Sequence, residues 1–199
     1  MKENLGIGEM IKLGLILVCY AVASCAILAI VNSFTSVKIR QNQINAANKA
    51  MKEVFSSADS FDIIDDFKTD FGNIVVSDFY LAKKNDKVAG GVCQVSGPTY
   101  DKGKIIVGVD NKGVVTGMQI LELSDSPGFG LKANDSAFKL ANGKTFYEQF
   151  TGLQAKNGFV VNQTFDGISG ATVTSKAIGD LVAQGVASVM NYLEEHNYE

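Results

Sequence analysis

The stretch KIIVGVDNKGVVTGMQILEL, residues 104–123, predicts the centre of the fold. It contains two runs rich in β-branched residues, Lys104–Val109 and Val114–Leu123, and the polar segment DNKG separates them. Asp, Asn and Gly readily adopt the backbone conformations of a tight turn, so the stretch predicts a β-hairpin. We therefore expect antiparallel β-structure in the middle of the chain.

Further elements are predicted on both sides of this hairpin. Upstream, Ile74–Ala82 partly alternates apolar and polar residues, and Lys87–Gln94 follows it across a turn at Lys84–Asp86. Downstream, Asp135–Asn142 and Phe146–Phe150 are candidates for short helices. The pattern is one of sequential antiparallel strands followed by helices.

A longer helix is predicted near the C-terminus. Its apolar residues recur at helical spacing and form one stripe: Ile178, Leu181, Val182, Val186, Val189 and Leu193. A stripe of this kind packs against a core. We therefore predict an α+β fold in which helices pack on an antiparallel sheet, with the domain occupying residues 59–199.

The N-terminal region contains no charged residue from Leu13 to Val31. At roughly 1.5 Å of rise per residue, a helix of this length matches the roughly 30 Å hydrocarbon core of a bilayer. The segment predicts one transmembrane helix, preceded by a tail at 1–12. A helix at Gln41–Phe55 is predicted from the spacing of Ile44, Ala47, Met51 and Phe55, within a stalk at 32–58.

The apolar segment allows two other interpretations. A cleaved signal peptide has a shorter apolar region, of about 7–15 residues. The string VASC at 22–25 resembles a lipoprotein cleavage box, but apolar residues continue after Cys25, where a polar tether is usual. We favour an uncleaved anchor. Lys2 and Lys12 precede the segment and Lys38, Arg40 and Lys49 follow it, so charge does not decide its orientation.

Composition argues against several classes of function. The net charge of −3 is too small and of the wrong sign for nucleic-acid binding. The single histidine, His196, belongs to no cluster with metal-ligand spacing, so no metal site is predicted. No nucleophile–histidine pair, Fe–S cysteine pattern or nicotinamide fingerprint is present in the sequence. Independent catalysis is therefore not expected.

The segment DGISGATVTS, residues 166–175, lies just before the last helix. It supplies hydroxyls from Ser169, Thr172, Thr174 and Ser175, and small residues at Gly167, Gly170 and Ala171. The N–H groups and dipole at a helix N-terminus favour an anion, and a phosphate fits there. The alternative is an ordinary helix cap formed by Thr174 or Ser175. The residues alone leave both interpretations open.

Residues Asp166 to Thr172 match every specified position of the pattern Asp-Gly-x-Ser/Thr-Gly-Ala-Thr/Ser. This segment resembles the flavinylation motif of the FMN-binding domain family. The resemblance implies that a flavin transferase cleaves FAD and attaches FMN through its phosphate to Thr172. It also implies that the transferase reads Asp166 and Gly167. The further candidate cofactor-binding residues in the segment 166–175 are Ser169, Gly170, Ala171, Thr174 and Ser175.

A second segment, SDSPGFG at 124–130, supports the resemblance. Its proline and glycines predict a loop that brings backbone close to a ligand, with Ser126, Pro127 and Gly128 as candidate cofactor contacts. It is similar to a Glu-Thr-Pro-Gly-x-Gly stretch in the G subunits of Rnf electron-transport complexes and in the related C subunits of sodium-pumping NADH:quinone reductases. Asp125 and Ser126 stand where Glu and Thr are usual.

The resemblance covers nearly the whole chain and implies an electron-carrier subunit of an Rnf-type ion-pumping complex. It implies ferredoxin as donor and NAD as acceptor for the whole complex, with sodium ions or protons moved. The expected partners are the other membrane subunits, and the domain is expected outside the cytoplasm. Two alternatives remain open: a stand-alone flavinylated surface protein, and an anchored non-redox binding module whose SGAT turn is only a helix cap.

Overall fold

The computed structural model describes residues 7–155 and 158–198. Over this part, the chain divides into two compact units between Asn45 and Ala46. Helix α1 spans Ile7–Val54, so the predicted transmembrane helix and the predicted helix at Gln41–Phe55 are parts of one element. Residues 1–6 of the predicted tail, and the side chains of Ile44 and Ala47, lie outside the described part.

Within α1, the segment Ile11–Ser33 is long and apolar enough to cross a membrane. Its large apolar side chains are exposed, with Leu17 and Tyr20 at 71% and 72% of their accessible surface. Exposure of so much contiguous apolar surface is unfavourable in water. The segment therefore has the properties of a lipid-facing helix. The predicted boundaries of the tail, stalk and FMN-binding domain stay predictions.

Six strands of the described residues form one antiparallel sheet. They are β1 (Ser60–Ile64), β2 (Asp70–Phe71), β3 (Ile74–Lys84), β4 (Lys87–Gly97), β5 (Gly103–Asp110) and β6 (Val115–Leu123). The order is β1-β3-β4-β5-β6, and β2 also pairs with β3. The four predicted strands are confirmed as the hairpins β3–β4 and β5–β6.

The two hairpin turns follow from their residues. Asn85 and Asp86, between β3 and β4, have positive φ angles of 50° and 60°. Two consecutive left-handed residues match the twist of the flanking strands. Between β5 and β6, the Asp110 carboxylate accepts hydrogen bonds from the N–H groups of Lys112 and Val114 at 2.9 and 2.8 Å. Both turns are confirmed.

Helix α2, Thr172–Glu195, packs on one face of the sheet. All six residues of its predicted apolar stripe are buried. On the opposite face, Met51 and Val54 from the end of α1 are buried with Val92 and Ile106 of the sheet. The Thr116 hydroxyl donates a 2.6 Å hydrogen bond to the Val54 carbonyl at the end of α1. The sheet thus carries helix on both faces, and because it is antiparallel the fold is α+β, as predicted.

The helix predicted at Asp135–Asn142 is wrong, because this segment forms bends and turns. The carboxylate of Asp135 accepts from the N–H of Ala137, and the side-chain carbonyl of Asn142 accepts from the N–H of Lys144. Such local side-chain bonds compete with helix formation. Short 3₁₀ helices occur instead at Gly130–Asn134 and Glu148–Phe150, so the second helical prediction is confirmed only in its last residues.

Candidate functional site

The candidate site lies at the N-terminus of α2, which begins at Thr172. The first N–H groups of an α-helix have no acceptor within the helix, and the helix dipole adds positive potential at this end. The Thr172 side chain is exposed. Its hydroxyl is therefore accessible at a position where a bound anion is stabilised.

The interpretation of Thr174 or Ser175 as an ordinary helix cap is wrong. Ala171 occupies the N-cap position and makes no side-chain capping bond. Thr174 and Ser175 lie inside the helix and are buried, at 2% and 0% exposure. The Ser175 hydroxyl accepts from the N–H of Ile168 at 3.0 Å and donates to the Ala171 carbonyl at 2.9 Å. Ser175 therefore stabilises the turn that precedes the helix.

A cleft of about 440 Å³ opens beside Thr172. Its lining comes from the loop after β4, the loop after β6 and the start of α2, and comprises Tyr100, Ser126, Phe129, Gly130, Gly170, Ala171, Thr172, Val173 and Thr174. The volume lies in the usual range of small-molecule sites, roughly 300–1,000 Å³. Of the sequence-predicted candidates, the structure brings Ser126, Gly170, Ala171, Thr172 and Thr174 together here.

The remaining candidates lie outside this lining. Ser169, Pro127 and Gly128 are exposed but do not line the cleft. Gly128 instead shapes the loop, with a φ angle of +79° that a residue with a side chain rarely adopts. Ser175 is buried beneath the turn.

Asp166 lines a different, polar cleft together with Asn142 and Gln149. Its carboxylate accepts a 2.9 Å hydrogen bond from the Asn142 amide. The Gln149 side chain accepts from the Asp166 N–H at 2.8 Å and donates to the Asp166 carbonyl at 3.0 Å. The two ends of the linear motif, Asp166 and Thr172, therefore belong to different clefts of the folded domain.

Asp125 connects the segments around the candidate site, although its side chain is 3% exposed. Its carboxylate accepts hydrogen bonds from the hydroxyls of Thr174 and Thr99, the latter at 2.6 Å. It also accepts from the N–H groups of Tyr100 and Asp101, at 3.4 and 3.0 Å. One carboxylate thereby holds the loop after β4 and the first turn of α2 to the loop after β6.

The hydrogen bonds also determine the charge of Asp125. Burial by itself raises the pKa of this carboxyl group, but the bonds from Thr174, Thr99 and the two N–H groups outweigh burial and hold the pKa below its usual value. Asp125 is therefore ionised at neutral pH, with its charge compensated by donors. In the sequence, Asp125 stands out only as a departure from the usual glutamate, and this role was missed.

Gly130 permits the close packing around Asp125. A Cβ atom at this position would lie 2.6 Å from the Asp125 Cβ and 2.7 Å from the Thr174 Oγ1. No side chain fits at these distances, so the final glycine of SPGFG is needed for space. The aromatic residues of the cleft, Tyr100 and Phe129, were also missed, because nothing in their local sequence distinguishes them from ordinary loop residues.

Comparisons with known proteins match the part of the chain that contains the candidate site. Residues 99–187 match the FMN-binding domain family, and residues 1–54 match the RnfG N-terminal region. The chain is 30% identical to the G subunit of the Na(+)-translocating ferredoxin:NAD(+) oxidoreductase complex of Acetobacterium woodii, over 90% of this chain and 91% of that relative.

Two further relatives have similar names. The G subunit of the ion-translocating oxidoreductase complex of Aliivibrio fischeri is 26% identical, over 92% of each chain. The G subunit of the proton-translocating ferredoxin:NAD(+) oxidoreductase complex of Clostridium ljungdahlii is 25% identical, over 83% of this chain and 84% of the relative. The similarity therefore extends across the apolar helix and the domain alike.

Proposed function

The chain belongs to the family of G subunits of Rnf-type ion-translocating oxidoreductase complexes, and from that premise we propose that it carries FMN as a phosphoester on Thr172 and relays electrons within such a complex. Membership of this family identifies the chain as an electron-transfer subunit with an FMN-binding domain. The covalent bond, the attachment residue and the membrane anchoring are the proposal.

One observation supports Thr172 as the attachment residue. The segment 166–175 contains four hydroxyl side chains, and Thr172 alone among them is both exposed and part of the cleft lining. Ser169 is exposed but does not line the cleft, whereas Thr174 lines it but is buried and bonded to Asp125. The hydroxyl of Ser175 is buried and bonded within the turn.

The residues of the cleft fit both ends of FMN. At the start of α2, the N–H groups that lack an acceptor within the helix, together with the Thr172 hydroxyl, suit a phosphate. Beyond them, Tyr100, Phe129 and Val173 provide an apolar surface suited to a flat aromatic ring. The buried carboxylate of Asp125 lies behind this surface, and its charge is satisfied by hydrogen bonds rather than presented to a ligand.

The attachment is a transfer of FMN from FAD to the Thr172 hydroxyl, with AMP as the leaving group. The Thr172 oxygen forms a bond to the phosphorus on the FMN side of the FAD pyrophosphate, and the bond from that phosphorus to the bridging oxygen breaks. AMP leaves, and the hydroxyl proton passes to a base of the flavin transferase. Asp166, with its exposed carboxylate in the neighbouring polar cleft, is the residue we propose that the transferase recognises.

Bound FMN supplies a group that accepts and releases electrons, while this chain's residues hold and surround it. Attachment through the phosphate leaves the ring chemically unchanged. The bond to Thr172 prevents loss of the cofactor and keeps it near its electron partners at a high effective concentration. The domain itself needs no acid, base or nucleophile for this role.

We propose further that α1 anchors the chain in the cell membrane as a single pass, with the domain outside the cytoplasm. The apolar segment Ile11–Ser33 supports the anchor. The match of residues 1–54 to the RnfG N-terminal region favours a subunit of a complex, whose other membrane subunits are its partners, over a stand-alone surface protein. The names of two relatives suggest ferredoxin and NAD as the donor and acceptor of the complex.

Intact-mass spectrometry tests the covalent bond. Full-length protein co-expressed with a flavin transferase should be heavier than its sequence mass by one FMN less one water, and its yellow colour should survive denaturation. Thr172→Ala should abolish the added mass, whereas Thr151→Ala, which removes an exposed hydroxyl outside both the motif and the cleft, should retain it. Two results would contradict the proposal: release of all flavin by urea alone, or retention of the added FMN mass in Thr172→Ala.

A further inference from the structure

Exposed apolar side chains concentrate at one place in the domain. Among the described residues from 46 onward, four large apolar side chains are more than half exposed: Ile63, Tyr100, Phe129 and Val173. Three of the four line the cleft beside Thr172. Tyr100 is 70% exposed and Phe129 is 56% exposed, although aromatic rings usually bury most of their surface.

The two aromatic residues are held in place by the motif and by Asp125. The Phe129 ring lies so close to Gly170 that a Cβ atom there would be 3.1 Å from the ring atom Cδ1. Gly170 therefore provides the room that Phe129 occupies, in addition to its positive φ angle of +79°. The backbone at Tyr100 is fixed between Thr99 and Asp101, which both donate hydrogen bonds to Asp125.

We propose that Tyr100 and Phe129 are the residues that receive the isoalloxazine ring of FMN by aromatic stacking. This assignment rests on the proposed attachment to Thr172, since the phosphoester confines the ring to the cleft that these two residues line. Stacking on an aromatic side chain covers the faces of both rings and is favourable beyond the burial of apolar area alone.

Tyr100 and Phe129 have different consequences for the flavin. A phenol ring in contact with an excited isoalloxazine donates an electron to it and takes the electron back, which quenches flavin fluorescence. A phenylalanine ring covers the flavin without this quenching. The fluorescence lifetime of the bound flavin therefore reports contact with Tyr100, whereas protection of the flavin from an added quencher such as iodide reports its cover by Phe129.

The test uses full-length flavinylated protein in detergent micelles and four variants: Tyr100→Leu, Tyr100→Phe, Phe129→Leu and the control Tyr198→Leu. Tyr198 is also exposed but does not line the cleft. The lifetime should lengthen toward that of free FMN in Tyr100→Leu and Tyr100→Phe and stay unchanged in Tyr198→Leu. Iodide quenching should increase in Phe129→Leu.

The flavin content of each sample, measured by intact mass, separates the two proposals. Flavin bound without a covalent bond contradicts the attachment to Thr172, and the same lifetime comparison on that complex still tests the stacking. Full attachment with lifetimes unaffected by both Tyr100 variants overturns the stacking alone. If Tyr100→Leu loses copurifying membrane subunits while the flavin fluorescence lifetime stays unchanged, the surface formed by Tyr100 and Phe129 contacts a protein instead of the flavin. Absence of any flavin from the protein would overturn both proposals.

Discussion

The hydroxyl of Thr174 donates a hydrogen bond to the buried carboxylate of Asp125, and this bond joins the first turn of α2 to the loop after β6. Both residues are almost fully buried, at 2% and 3% exposure. The same carboxylate accepts from Thr99, so three separate segments meet at one charge. The shape of the cleft beside Thr172 depends on this junction.

Replacing Thr174 with valine should destabilise the domain without preventing flavin attachment. Valine has the shape of threonine but no hydroxyl, so Asp125 loses one donor while remaining buried. Loss of a hydrogen bond to a buried charged group costs about 1.5–3 kcal/mol. Urea unfolding of full-length protein in detergent micelles measures the change, with Thr151→Val, an exposed threonine, as the control. Equal stabilities of the two variants would show that the bond contributes nothing.

Stability should fall in acid because of Asp125. Its pKa is lowered in the folded chain, since the hydrogen-bond donors outweigh the effect of burial, so its stabilising contribution is complete above the unfolded-state pKa of about 3.9. That contribution disappears as the pH falls through the folded-state pKa. Asp125→Asn should therefore be less stable than the native chain at pH 7, by a margin that shrinks below about pH 4.

The control for this titration is Thr151→Val, an exposed change that removes no ionisable group. The difference in unfolding free energy between it and the native chain should stay constant over the same pH range. A margin for Asp125→Asn that stays constant from pH 7 to pH 3 would show that the Asp125 carboxylate is not the group responsible.

The sequence was sufficient to predict the elements with strong periodic or turn signals. Both hairpins and the apolar stripe of α2 are of this kind, because their signals lie within short stretches. Strand β1 was missed because it lies at the edge of the sheet and its residues are mostly exposed, which leaves little alternation to detect. The helix predicted at Asp135–Asn142 was wrong because local side-chain bonds of Asp135 and Asn142 replace helical ones.

The candidate site was only partly predictable for a different reason. The motif identified Thr172, which lies in the cleft as expected. Asp125 acts through residues that are 26 and 49 positions away in the chain, and no local pattern encodes such contacts. The separation of Asp166 from the Thr172 cleft likewise depends on Gln149, which binds both backbone groups of Asp166 from outside the motif.

Trypsin added to intact spheroplasts should cleave the domain if it lies outside the cytoplasm. The domain offers exposed lysines such as Lys112 and Lys144, so access to trypsin depends on the side of the membrane. Immunoblotting for the C-terminus should show loss of the full-length band. Lysed spheroplasts serve as the control, because there the domain is accessible in either orientation. Protection in intact spheroplasts, together with cleavage in inverted vesicles, would place the domain in the cytoplasm.

Gly185→Ala should destabilise the domain although alanine favours helix formation by about 1 kcal/mol over glycine. Gly185 is buried on the face of α2 that packs against β5, and an added Cβ would lie 2.5 Å from the Val107 Cγ1. Valine is held in few rotamers and β5 is a central strand, so neither gives way easily. Overpacking of this kind costs about 1–3 kcal/mol.

The combination of Gly185→Ala with Val107→Ala tests this explanation. Val107→Ala alone leaves a cavity in the core, but in the double variant the new methyl group occupies part of the space that valine vacated. The double variant should therefore be more stable than the sum of the single changes predicts, by about 0.5–3 kcal/mol, in urea unfolding of the full-length chain.

Asn191→Ala, an exposed change on the same helix, is the control and should combine additively with Val107→Ala. Additive costs for Gly185→Ala and Val107→Ala would mean that the glycine is required for something other than its contact with Val107.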